Sequence, residues 1–259
     1  MNLPRILRLV AVSWWLHLKM INRSVFDSVM QVVWPLFFST TTLFIYRAAG
    51  NGNALSYAAL GAGVMTIWTS ITSTASNILQ RERGLGTLEL LVAAPTPFPA
   101  SVVSIVLAVS TIGTYGMAAC LLWAHFVFGV DIGVGRPAPF VLAIVTTVFS
   151  FGVLGFILAV TLVRYRGAWA LGSALEYPVW LLCGFLVPAS VLPGWMTPVS
   201  WLLPPSWGMR AIREAAAGRS PWTSILACSA TAVVLIAVGI RLTGTLLRAA
   251  RQSATLSLR

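Results

Sequence analysis

Six stretches of this chain are long and apolar enough to cross a bilayer: 26–47, 56–79, 101–128, 140–163, 168–187 and 224–247. A hydrocarbon core about 30 Å thick takes roughly 20 apolar residues of helix per crossing. The expected fold is therefore an all-α integral membrane protein with six transmembrane helices in a single domain. Only 9% of the residues are charged, against about 25% in a soluble domain. Mean hydropathy is +0.87. A formal net charge of +11 would suit nucleic acid, but the basic residues are scattered in short segments between apolar runs, where lipid headgroups explain them better. Cys120, Cys183 and Cys228 each sit in apolar sequence without C-x-x-C spacing, which reads as packing and not as metal or redox chemistry.

Residues 1–25 are too polar to span. At helical spacing Arg5, Arg8, Lys19 and Arg23 share one stripe, with Ile6, Leu7, Val10, Trp14, Leu18 and Ile21 opposite. That pattern predicts an amphipathic helix on an anionic leaflet. No short apolar core followed by a small-residue cleavage site is present, so no cleavable leader is expected. Pro35 is a kink point in the first span. The second span carries Thr66, Thr69, Ser70, Thr72, Ser73, Thr74, Ser76 and Asn77. Small hydroxyl residues in a membrane helix mean close packing or, alternatively, a polar path. Residues 188–221 are apolar but broken by Pro188, Pro193, Pro198, Pro204 and Pro205, with Trp195, Trp201 and Trp207 interleaved. Prolines forbid a continuous span, and tryptophans favour the membrane boundary. Two short re-entrant helices are expected there, then a helix carrying Arg210, Arg213 and Glu214.

With six spans both termini share a side. That side holds twelve of the basic residues and the other holds five, namely Arg47, Arg136, Arg210, Arg213 and Arg219. The positive-inside rule makes the richer side cytoplasmic and turns 188–221 outward. Sixteen arginines to one lysine point to a GC-rich bacterium, hence to its cell (inner) membrane.

Between the second and third spans, Gln80–Pro97 gathers charges of both signs. Thr87 can cap a short helix that Pro95 and Pro97 end. Glu82, Gly86 and Glu89 fall on one helical face, and Leu85, Leu88 and Val92 on another. Two readings fit: an ordinary amphipathic loop, or a surface helix whose acidic, glycine-notched face admits another protein's backbone.

Soluble-type catalysis has little to work with. His17 and His125 are far apart and read as interfacial or packing residues, and no H-E-x-x-H or G-x-S-x-G occurs. The single lysine, Lys19, follows Leu18, so the chain carries no phosphate-binding loop and no ATPase of its own. One acid, Glu176, followed by Tyr177 and Pro178, lies about eight residues, roughly 12 Å of helix, into the fifth span. Such a group marks a pathway, relay or internal ion pair, or else a structural or protonated carboxyl.

The run R-E-R-G-L-G-T-L-E-L-L-V-A-A-P at 81–95 resembles the cytoplasmic signature of the permease subunits of ABC-2 type transporters, E-R-E…G-T-L-E-x-L-L…P after the second span. Independently, Gly184–Ala215 is similar to that family's outer segment after the fifth span, P…L-P-x-W…P…R. The resemblance implies a drug-, lipid- or antibiotic-exporting permease working with a separate ATPase subunit, which would bind the ATP and Mg; this chain would hold no cofactor. Residues 81–95 would be the coupling helix, with Arg81, Glu82, Arg83, Gly86, Thr87 and Glu89 meeting the ATPase, and 1–25 the connecting helix. Two permeases, identical or different, would form the path between them, with Thr69, Ser73, Asn77, Glu176 and Tyr177 as candidate lining. Pro188, Leu192, Pro193, Trp195 and Trp207 would form the outer gate.

Two further functional classes make less of these residues. A self-sufficient proton-coupled transporter would use Glu176, but such proteins show paired repeats or matching broken helices, and none is found here. An intramembrane enzyme would need a nucleophile–base or metal constellation, which the sequence lacks.

Overall fold

The computed structural model describes residues 3–21, 25–50, 54–84, 98–162, 168–188 and 192–253. Among them every regular element is helical: α1 (Leu3–Ile21), α2 (Val25–Ala48), α3 (Leu55–Gly84), α4 (Phe98–Phe128), α5 (Pro137–Leu162), α6 (Ala168–Leu182), α7 (Met196–Leu202), α8 (Pro204–Ala216) and α9 (Trp222–Ser253). Three of these carry windows long and apolar enough to cross a membrane: Val103–Phe128, Pro137–Ala159 and Trp222–Leu242.

The third helix is the spine. Leu60, Val64, Met65, Ile67, Trp68 and Ile71 are all buried, and α3 packs on α2, α4, α5 and α6. Trp68 meets Phe151 of α5 at 5.6 Å between ring centroids, and Phe151 meets Phe185 beyond α6 at 5.8 Å. The core thus runs through the helix richest in serine and threonine. Thr66 and Thr72 are buried and return their hydroxyl protons to the Gly63 and Trp68 carbonyls, at 2.7 and 2.9 Å. Bonding back to the preceding turn satisfies these two hydroxyls inside the packed interface, whereas the buried Trp68 Nε1 finds no partner among the described residues.

Three elements depart from the sequence expectation. Helix α3 continues to Gly84, so Arg81, Glu82 and Arg83 lie on the same rod as the second apolar stretch. Helix α6 ends at Leu182 and not at 187. Gly184 adopts φ +71°, the Phe185 amide reaches the Trp180 carbonyl at 3.0 Å and the Gly184 amide reaches that of Leu181 at 3.1 Å. That is a Schellman stop with glycine at its left-handed position. The apolar run on to Val187 hid it. Within 188–221, finally, only one short helix, α7, precedes the arginine-bearing α8 among the described residues. Pro204 and Pro205 open α8 as its N1 and N2 residues, positions where a missing N–H costs nothing.

The face expected of α1 also divides. Trp14 turns inward and its Nε1 donates to Thr111 of α4 at 3.2 Å. Leu7, Val12, Trp15, Leu16 and Met20 remain exposed beside Arg5, Arg8 and Lys19. A helix lying along one neighbour buries only a narrow stripe; the remaining mixed face suits a headgroup boundary.

Candidate functional site

Helices α3 and α6 pack side by side and bring Thr69 to Glu176. The Thr69 hydroxyl donates to the Glu176 carboxylate at 2.5 Å. The carboxyl is half-buried, and among the described residues the one ion pair is Arg210–Glu214, so Glu176 faces a hydroxyl and not a cation. Ser73, one turn on from Thr69, is exposed on the same helix, and its hydroxyl bonds the Ser70 carbonyl at 3.1 Å. Asn77 follows at the next turn of α3; its side chain lies outside the description. Tyr177 is 64% exposed, with its ring edge-on to Trp180 at 5.2 Å. Pro178 sits inside α6 and cannot donate to the Ala174 carbonyl, which weakens the helix at Glu176 itself. The geometry is a hydroxyl–carboxyl pair between α3 and α6, with the exposed Tyr177 next to it in sequence.

A second centre lies at the C-terminal end of α6. Arg213 of α8 places its Cζ 3.2 Å from the Tyr57 ring centroid. Its Nη1 donates to the Tyr57 hydroxyl and, at 2.6 Å, to the Gly184 carbonyl, while Nη2 donates to the Phe185 carbonyl at 3.1 Å. Tyr57 in turn donates to Gly184 at 3.1 Å, and Tyr46 of α2 donates to Leu186 at 2.5 Å. Burial pulls the Arg213 pKa down to about 10, with Tyr57 opposing the shift, so the group is a cation at neutral pH. Sequence reading placed Arg213 on a boundary helix without assigning it a partner. The available signal was the small residues Gly208, Ala211 and Ala215 on the same helix, which announce tight packing on both sides of it.

Trp195, expected at a gate, is 69% exposed, and Pro193 is exposed too; Pro188 and Leu192 are partly buried. Trp207 is held by its Nε1 bond to the Trp201 carbonyl at 2.8 Å, and Arg210 lies over its ring. These residues therefore divide between the loop before α7 and the α7–α8 corner. Gly86, Thr87 and Glu89 lie outside the described residues.

The family model for the ABC-2 type transporter matches residues 8–217. The chain belongs to the ABC-2 type transporter family. No curated protein matches it. The match spans α2 to α8 and so takes in both the Thr69–Glu176 pair and the Arg213 cluster of this ABC-2 permease. Family and apolar helices together make it a membrane protein with a transport role, and the family implies association with an ABC ATPase.

Proposed function

We propose that this ABC-2 permease is the membrane subunit of an ATP-driven exporter that moves a hydrophobic or amphipathic compound, such as a drug, lipid or antibiotic, out of the cytoplasm or inner leaflet. The family match over 8–217 carries the reading. Two copies of an ATPase subunit would bind ATP and Mg and dock on 81–95 through Arg81, Glu82, Arg83, Gly86, Thr87 and Glu89. Two permeases, in a homodimer or heterodimer, would enclose the path along α3 and α6. The Thr69–Glu176 pair supports this: an ionisable group within a membrane helix points to a transport path by default. The Trp-rich 188–221 segment would close the path on the outer face. In this reading six helices span the bacterial inner membrane, α6 at about 22 Å sharing its crossing with the turn that follows it.

The test is a pull-down of the tagged permease from its native membrane with ATP hydrolysis assayed on the eluate. An ATPase subunit recovered with wild type and lost with Glu89→Arg is the expected result. A stable chain eluting alone, without hydrolysis, would overturn it. Transport by that lone chain under a proton gradient, abolished by Glu176→Gln, would then put proton coupling in its place.

A further inference from the structure

Helix α8 is fastened to α5 and α9. A Cβ on Gly208 would lie 2.4 Å from the Thr147 hydroxyl of α5, so the two helices meet backbone to side chain. Glu214 accepts from Ser224 of α9 at 2.7 Å. The carbonyls of Ala215 and Ala216, at the C-terminal end of α8, accept from the Arg136 and Gly135 amides at 3.2 and 3.0 Å. These contacts make α5, α8 and α9 a single platform.

Helix α6 belongs elsewhere. It packs chiefly on α3 and only slightly on α5. Arg213 reaches from the platform to its C-terminal end, where it holds the carbonyls of Gly184 and Phe185, the two residues of the Schellman stop that close α6. A guanidinium fork is suited to two adjacent acceptors, and a cation is favoured at the negative pole of a helix. Gly61 makes room for the arrangement: a Cβ there would sit 2.0 Å from the Phe185 oxygen and 3.2 Å from Arg213 Nη2. The Arg213 Nε finds no hydrogen-bond partner among the described residues, so the side chain is committed through its Nη atoms alone.

We propose that Arg213 is a positioning residue for the transport path: it clamps the C-terminal end of α6 to the α5–α8–α9 platform and thereby sets where Glu176 stands. Glu176 lies eight residues before Gly184, about 12 Å along the helix, and the hydrogen bond that Pro178 removes is the one that would span Glu176, so the joint of α6 falls at that residue, at the edge of the clamped C-terminal part. Movement of the C-terminal part of α6 against the platform must break the Arg213 bonds or carry α8 with it, which links the 188–221 segment to the helix that bears Glu176. The inference rests on the reading of Glu176 as path lining.

The experiment uses spin labels on the full chain in lipid nanodiscs, at Leu175→Cys on α6 and Leu226→Cys on α9, both exposed positions, with the three buried native cysteines replaced by alanine. Electron–electron distance distributions are compared for wild type, Arg213→Gln, Arg213→Lys and Tyr57→Phe. The expected distribution is roughly twice as broad in Arg213→Gln, because a helix end freed of its clamp samples open states. Arg213→Lys should restore it only in part, since one ammonium cannot hold two carbonyls as a fork does. If Arg213→Gln does not yield monodisperse protein, the Lys and Phe variants carry the comparison. Unchanged distributions in monodisperse Arg213 variants, even with a lower melting temperature, would overturn the proposal and leave Arg213 a stabilising residue only. The measurement needs neither ATPase nor substrate, so it stands apart from the pull-down that tests the exporter reading.

Discussion

At Gly61 the absence of a side chain decides the local structure. The Phe185 carbonyl stands where a Cβ would be, 2.0 Å away, and the obstruction is backbone held by Arg213, not a flexible side-chain tip. Gly61→Ala should therefore overpack the junction and cost about 1–3 kcal/mol, seen as a lower melting temperature in fluorescence-detected size exclusion. Gly194→Ala is the control, because nothing lies within 4 Å of its added Cβ, and it should melt with wild type. A second residue-scale expectation concerns Thr69. Thr69→Val removes the donor to Glu176 and leaves a half-buried carboxyl without it, a loss of about 1 kcal/mol or more. Glu176→Gln keeps a carbonyl acceptor for Thr69 and should melt closer to wild type than Thr69→Val does. The opposite order would mean that the Thr69–Glu176 bond does not contribute to folding.

Helix α8 shows what sequence periodicity can and cannot reveal about an element. Its Arg210, Arg213 and Glu214 were legible as a boundary helix, and its prolines as an obstacle to any long span. That Pro204 and Pro205 start a helix was not legible, because the same residues that break a helix interior are neutral in its first turn. Nor does spacing reveal that Met209 and Ile212 are fully buried; that depends on α5, which arrives from far along the chain, and on how the next helix, α9, folds back. The end of α6 was missed for a related reason. Its stop is set by the backbone at Gly184, while hydropathy continues unchanged to Val187. By contrast, the starts of α2 and α3 lie within a residue of expectation, since Gly, Asn and charged residues punctuate them directly. A prediction follows for α8. Gly208→Ala drives a Cβ against Thr147 and should destabilise the protein by about 1–3 kcal/mol. Thr147→Ala in that background removes the hydroxyl and the methyl, the contacts at 2.4 and 2.9 Å, but keeps the Thr147 Cβ, also at 2.9 Å, so it should recover part of the loss. Additive losses in the double variant would mean that the two helices do not meet there.

At the scale of the whole molecule, the fold engages two of the five basic residues expected on the poorer side. Of the five on the poorer side, Arg213 is turned inward onto the Gly184 and Phe185 carbonyls, and Arg210 pairs with Glu214 at 3.0 Å. Arg47, Arg136 and Arg219 alone remain there as exposed, unpaired arginines among the described residues. On the richer side Arg5, Arg8 and Lys19 are all exposed along α1. The positive-inside rule counts charges free to meet headgroups, so the expected orientation has both termini in the cytoplasm and Trp195 outside. Single-cysteine labelling checks it with little background, because the native cysteines are all buried. Trp195→Cys, at an exposed position, should react with a membrane-impermeant maleimide in intact cells. Lys19→Cys should react only after the cells are permeabilised. The reverse pattern would invert the molecule, put 81–95 out of reach of any cytoplasmic ATPase, and with it remove the coupling role proposed for Glu89.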